Sequence, residues 1–234
     1  MSAPPGYVIY DGPSRLEGGT PIIAILTMRS ENRKTGDMPQ IWMLRKDRAP
    51  TTAALDGTDD AVCGECAFRL YLARNNPDRA NCYVTLVHGP NAIWKAYHAG
   101  SYPTSWPDRI VDPVRVGSYG DPAAVPLKIW REFIAHCWGG YTMYTHQWRR
   151  FSGFRHYAMA SVNSPAEQHL AAQRGWRTFR GIQKKEADQH NHIGEITCPA
   201  TPEAGRRTTC KQCRICDGKK GEHDRRKHIT VSAH

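Results

Sequence analysis

Pro113-Val-Arg-Val-Gly-Ser-Tyr-Gly-Asp-Pro122, then Val125 to His136, then Gly140-Tyr-Thr-Met-Tyr-Thr-His146 make up the most regular part of this chain. Pro113–Tyr119 has the β-branched and aromatic content of a strand, and Gly120-Asp121-Pro122 interrupts it. From Val125 to His136, Leu127, Ile129, Trp130, Phe133 and Ile134 recur at helical spacing and define one face. Gly140–His146 is a second strand. The alternation continues with a strand over His156–Val162. A helix follows with Ser164 as its cap, Pro165 in its first position and Glu167 in its third, ended by Gly175. Trp176–Arg180 is the next strand. Ile193–Thr197 and His228–Ser232 are further candidates. Strand–helix alternation of this kind implies parallel βα units. No glycine-rich dinucleotide fingerprint accompanies it. The expectation is an α/β fold: parallel βα units forming a partial or irregular TIM-like barrel, with cysteine-rich metal-binding loops.

Upstream of this array, residues 1–20 are rich in Gly and Pro and are expected to form an extended N-terminal arm, with Tyr7–Tyr10 a possible edge strand. Residues 21–234 are expected to form a single α/β domain with metal-binding loops at 63–82 and 198–216. Pro21–Thr27 is an unbroken apolar run that suits a buried parallel strand. The polar loop Ser30–Gly36 follows, and it lacks the glycine frame of a phosphate-binding Walker motif. Ile41–Arg45 reads as a strand. Pro90–Gly100 reads as a helix opened by proline and stopped by glycine.

Seven of the eight cysteines fall into two groups. Cys63-Gly-Glu-Cys66 is followed after fifteen residues by Cys82. Cys198, Cys210, Cys213 and Cys216 lie within nineteen positions, the last three spaced C-x2-C-x2-C. Thiols three residues apart can converge on one point, as zinc or an iron–sulfur cluster requires. The second segment is polar and has no apolar face that would bury four unrelated cysteines. The first group suits either an open three-thiolate site or a zinc completed by His88 or His98. His190-Asn191-His192 is an additional metal-ligand candidate.

The formal net charge is +10 over 234 residues. A basic excess of this size favours polyanionic partners, nucleic acid first. Basic clusters such as Arg149/Arg150/Arg155 and Arg177/Arg180/Lys184/Lys185 are interleaved with Trp148, Phe151, Phe154, Trp176 and Phe179. Those aromatics could stack bases or fill the core. No run approaches the about 20 apolar residues of a membrane span. The first residues lack the pattern of a secretory signal, so a cytoplasmic protein is expected.

Parallel α/β folds gather their chemistry at the strand C-termini. That places Asp121, His146, Asn163 and Arg180 as catalytic candidates, and Asn32, Lys34, Tyr119 and Asp121 as cofactor-binding candidates, near Cys198. Each has a plainer reading: Asp121 as a turn residue, His146 as a satisfied interior histidine, Asn163 as a turn former.

Three segments resemble known proteins. Cys63-Gly-Glu-Cys66…Cys82-Tyr-Val is similar to the cysteine loop of phage-borne radical-SAM-like proteins. Val116-Gly-Ser-Tyr-Gly-Asp-Pro-Ala-Ala-Val-Pro126, with its helix and Gly140–His146, is similar to the second βα unit of that superfamily. The pattern as a whole, with Met159-Ala-Ser-Val, Gly175–Arg180 and the terminal cysteines, looks like an uncharacterised bacteriophage family, which would place the protein in a host cytoplasm. The resemblance implies an iron–sulfur cluster on Cys63, Cys66 and Cys82 with S-adenosylmethionine as partner, and an auxiliary cluster or structural zinc at the Cys198 group. The chain departs from the usual C-x3-C-x2-C spacing and carries Gly120-Asp121-Pro122 in place of Gly-Gly-Glu-Pro. The leading expectation is a radical-SAM-like enzyme acting on nucleic acid or nucleotides. The alternatives are a zinc-stabilised nucleic-acid-binding protein of phage replication without catalysis, and a transglycosylase-like base-exchange enzyme with structural zinc and Asp121 as nucleophile.

Overall fold

A computed structural model describes residues 4–74, 76, 81–182, 194–205, 207–221 and 223–232. His190 to His192, Lys184, Lys185 and Arg206 lie outside them.

Nine strands form one sheet in the order β1-β2-β3-β4-β5-β6-β7-β9-β8. The strands are β1 (Gly6–Pro13), β2 (Pro21–Thr27), β3 (Gln40–Arg45), β4 (Val114–Tyr119), β5 (Tyr141–Thr145), β6 (Met159–Val162), β7 (Thr178–Ile182), β8 (Glu195–Thr197) and β9 (His228–Ser232). From β3 to β8 every neighbouring pair is parallel. The sheet is open, with β1 and β8 at its edges. The helices are α1 (Pro50–Asp56), α2 (Asp60–Cys63), α3 (Leu70–Arg74), α4 (Gly89–His98), α5 (Leu127–His136), α6 (Pro165–Gln173) and α7 (Cys210–Cys213).

The first three strands differ from the expectation. β2 is buried through Ile22–Leu26, as its apolar run requires, but it is antiparallel to both neighbours. Only residues 14–20 join β1 to β2. A parallel crossover needs a dozen residues or more, so the short connection dictates a hairpin. The expected arm is therefore an edge strand from Gly6 onward.

The βα part follows its sequence signals. In α5, Trp130 and Phe133 are fully buried, and the Trp130 indole donates to the Pro122 carbonyl at 2.8 Å. Ser164 caps α6 by accepting from the Glu167 N–H at 3.1 Å. The Glu167 carboxylate in turn accepts from the Asn163 N–H at 2.8 Å. Trp148, Phe154 and Trp176 are buried and belong to the core, so they are not available to stack bases.

β7 leads out to the edge strand β8, and the chain then returns to insert β9 between them. The second cysteine group lies on that return. Its loop is fixed at the end where the parallel strands begin, hereafter the base. Arg177, just before β7, donates to the carbonyls of Ile215 and Asp217 at 2.7 and 2.9 Å. Met143 N–H donates to the Cys216 carbonyl at 2.9 Å.

Candidate metal centre and its cavity

One cavity of about 400 Å³ runs along a face of the parallel sheet. Side chains alternate across a strand, and one parity supplies most of the lining: Arg115, Gly117 and Tyr119 of β4, Tyr144 of β5, Phe179 and Gly181 of β7, with Ser118 of β4 reaching it beside the Gly117 and Gly120 backbone. All seven cysteines of the two groups also line it, with Asn32, Lys34, Asp121, His146 and Ser161. Two cysteine loops more than a hundred residues apart in sequence thus share one enclosure.

At the rim, where the parallel strands end, Asp59 and Arg69 hold the first loop. Their ion pair measures 2.7 Å, and Arg69 also donates to the carbonyls of Gly57 and Gly64. Asp121 N–H donates to the Val62 carbonyl at 2.6 Å, tying the end of β4 to the residue before Cys63. The Gly120 turn makes this possible. Its φ is +82°, and a Cβ there would stand 2.7 Å from the Met43 Cβ.

Asp121 is an anchor. Its carboxylate accepts from the Ala123 N–H at 2.9 Å, the Thr145 hydroxyl at 2.7 Å and the His146 N–H at 2.7 Å. Burial raises its pKa, with His146 and these donors acting in the opposite direction. A carboxylate so engaged is a poor nucleophile, which weighs against the base-exchange reading. His146 Nδ1 lies 3.9 Å from the carboxylate, beyond hydrogen-bond range, while Nε2 meets the Ser161 hydroxyl at 3.0 Å. Burial lowers the His146 pKa against the pull of Asp121, which favours the neutral ring. The rim therefore presents a neutral imidazole paired to a hydroxyl, held from behind by a buried carboxylate.

The other two catalytic candidates fall elsewhere. Phe179 and Gly181 face the cavity, so Arg180 between them faces the opposite side of the sheet. There it makes a fully buried bidentate pair with Glu195 at 2.9 and 2.8 Å. Asn163 follows β6 and does not line the cavity.

The proposed cofactor contacts divide between two ends. Tyr119 and Asp121 lie at the rim. Asn32 and Lys34 lie at the base, because antiparallel β2 runs the other way and its C-terminus meets the start of β3. Arg115, the second residue of β4, also lies at the base, and its guanidinium donates to the Tyr83 hydroxyl. Sequence reasoning missed Arg115, yet parity could have found it. It is the one charged residue in Val114-Arg-Val-Gly-Ser-Tyr119 and shares a face with Tyr119.

The thiols suit a soft metal by type. In the first group burial pushes Cys63 well up, Cys66 up to about 12 and Cys82 up to about 11; for Cys63 the charges of Asp59, Cys66 and Cys82 add to this. Cys216 is pushed up to about 12 by burial, with Cys198, Cys210 and Cys213 adding to the effect. Members of each group are thus within electrostatic reach of one another. Among the described residues, no group of three or more His, Cys, Asp or Glu side chains is arranged to hold a metal ion as it stands. The fit therefore rests on donor chemistry and on the shared cavity. Cys137 belongs to neither group and is buried at the end of α5.

No helix among the described residues is long and apolar enough to cross a membrane. Comparison of the chain with protein-family models, curated proteins and solved structures finds no match to any of them.

Proposed function

We propose that this protein is a metal-cluster enzyme of the radical-SAM-like type, phage-borne, acting on a nucleotide, either free or within a nucleic acid. The reading rests on one observation: both cysteine groups line a single cavity of about 400 Å³ on the face of a parallel sheet. Structural zinc sites are closed knots of ligands, whereas small-molecule sites are cavities of about 300–1,000 Å³. The open run β3-β4-β5-β6-β7-β9-β8 is read here as the wall of an incomplete barrel, with the cavity in its concavity.

In this reading Cys63, Cys66 and Cys82 hold an iron–sulfur cluster, and Cys198, Cys210, Cys213 and Cys216 hold a second cluster or a zinc ion. A cluster bound by three thiolates keeps one iron open and supplies one-electron chemistry there. The chain's own residues position and shield. Arg69 and Asp59 fix the first loop. Neutral His146 can take or give a proton at Nε2, with Ser161 on the same nitrogen. S-adenosylmethionine is the cofactor implied by the resemblance. Because Asp121 is already engaged by three donors, its contacts fall to the other lining groups at the rim.

Anaerobic purification followed by iron, sulfide and zinc analysis tests the reading. A brown protein whose colour is lost in Cys63→Ala, Cys66→Ala and Cys82→Ala is expected. A colourless protein with stoichiometric zinc overturns it and favours a zinc-stabilised nucleic-acid-binding protein. One observation supports that second reading: Trp138 is 62% exposed, with the Arg109 guanidinium stacked 3.7 Å from its ring centre.

A further inference from the structure

We propose that Arg115, together with Lys34 and Tyr83, forms an anion-binding subsite at the base of the cavity that takes the phosphate monoester of a nucleotide. The proposal deepens the reading above and relies on it only in treating the cavity as the substrate site.

Arg115, half-buried with its Nε out of solvent, differs from the other arginines that pack within the fold. Arg69 is paired with Asp59 at 2.7 Å, Arg180 with Glu195 at 2.8 Å, and Arg177 with Asp217 at 3.6 Å. Among the described residues Arg115 has no carboxylate within ion-pair distance, and its Nε is buried without a hydrogen-bond partner. Its guanidinium donates to the phenol of Tyr83, and Tyr144, Cys210 and Cys216 are within its electrostatic reach. Burying an unpaired cation is costly unless something compensates it. A second cation, Lys34, lines the same end, and the Lys34 and Arg115 charges both act on the Cys210 thiol. Two cations that line one end of a cavity and act on the same thiol, with no carboxylate paired to Arg115 among the described residues, are a site for an anion rather than a balanced ion network.

Phosphate fits better than other anions for two reasons. The guanidinium fork matches its oxygens bidentately, while the ammonium acts as a point charge beside it. The cavity is also long enough to separate the two ends of a ligand, with the cations at the base and His146 at the rim. A nucleotide seated by its phosphate on Arg115 would extend its base or sugar toward His146 and the first cysteine loop.

The test is titration calorimetry of the purified full chain with inorganic phosphate, each of the four ribonucleoside 5′-monophosphates, and the matching nucleosides. At least one monophosphate is expected to bind at least tenfold tighter than its nucleoside. Arg115→Gln should weaken that monophosphate at least tenfold. Lys34→Gln, a change at a partly exposed side chain with little consequence for folding, should weaken it severalfold and serves if the first variant does not fold. Arg109→Gln should have no effect. Absence of binding by phosphate and by every monophosphate, or equal binding by the two cavity variants and wild type, overturns the proposal. Loss of bound metal in Arg115→Gln with phosphate binding intact also overturns it, and assigns Arg115 to neutralising the thiolates. An anaerobic preparation that is colourless and holds stoichiometric zinc, yet binds a monophosphate through Arg115, sinks the cluster reading and leaves this one standing.

Discussion

The two ends of the cavity carry the same ligand atom in opposite electrostatic settings. At the rim, the thiols of Cys63, Cys66 and Cys82 sit near Asp59, and Asp121 adds its charge at Cys66. At the base, Cys210 sits near Arg115 and Lys34, which oppose the upward push of burial. At the rim, acids add to the burial penalty, with Arg69 and, at Cys82, Arg115 opposing them; at Cys210 burial still raises the pKa, and Arg115 and Lys34 oppose it with no acid adding to it. Two cysteine groups that look interchangeable in sequence are not equivalent sites. The rim would need the positive charge of a metal to ionise its thiols. The base has protein cations already in place, and those same cations can serve an anionic ligand.

The contrast can be broken most sharply with arginine. Arg180→Ala should cost about 3–5 kcal/mol in urea unfolding, because it removes the bidentate guanidinium from the buried Glu195 carboxylate. Arg115→Gln should cost less than about 1 kcal/mol, since it gives up a hydrogen bond to Tyr83 and no ion pair among the described residues. Comparable losses in the two variants would mean that Arg115 is part of the scaffold. Next in size is thiol reactivity. In metal-depleted protein at pH 8, Cys66, pushed up to about 12, should react with iodoacetamide at least a hundredfold more slowly than free cysteine. Cys213, partly exposed at the base, should be labelled well before it. Mass spectrometry of the time course decides, and the reverse order would remove the distinction between the ends.

A third measurement probes the rim anchor. Asp121→Asn turns an amide against one of the three donors now satisfied, the His146 N–H among them, and should cost about 1–3 kcal/mol. It should also move the His146 ring resonances. The smallest effect concerns α6. Burial raises the Glu167 pKa, but Arg149 and the Asn163 N–H outweigh it and hold the carboxyl below its ordinary 4.5. Its contribution is therefore complete above about 4.5 and is lost as pH falls through the folded value. Glu167→Gln should cost about 0.5 kcal/mol at pH 7, a small figure because the pair is partly exposed. The cost should shrink as the pH falls below the ordinary glutamate value and through the lowered folded one.

Much of the βα array was legible because its signals are local. The Ser164 cap, the α5 stripe through Trp130 and Phe133, and the Gly120 turn each act within a few residues. Strand direction at β2 was not so local. A continuous apolar run reports burial on both faces, not direction, and the short 14–20 connection carried the deciding information. That single reversal moved Asn32 and Lys34 from one end of the cavity to the other. Arg180 shows a second limit. Position near a strand end does not say which face a side chain takes, and parity with Phe179 does. The cysteine groups were found by spacing alone, but their meeting in one cavity depends on β9 entering between β7 and β8, which no local pattern encodes.

That inserted strand has a consequence for how the protein is made. β9 follows every other described strand in the chain, yet it is an interior strand of the sheet. Until it arrives, β7 presents an unpaired edge and β8 has nothing to join, the kind of exposed edge that invites pairing with another chain. The cysteine loop between β8 and β9 is likewise unanchored at its far end. A nascent chain that has emerged past Cys216 but not as far as His228 would carry both cysteine groups and still lack an assembled cavity. Closure of the enclosure thus waits for the arrival of β9 rather than for the appearance of the cysteines.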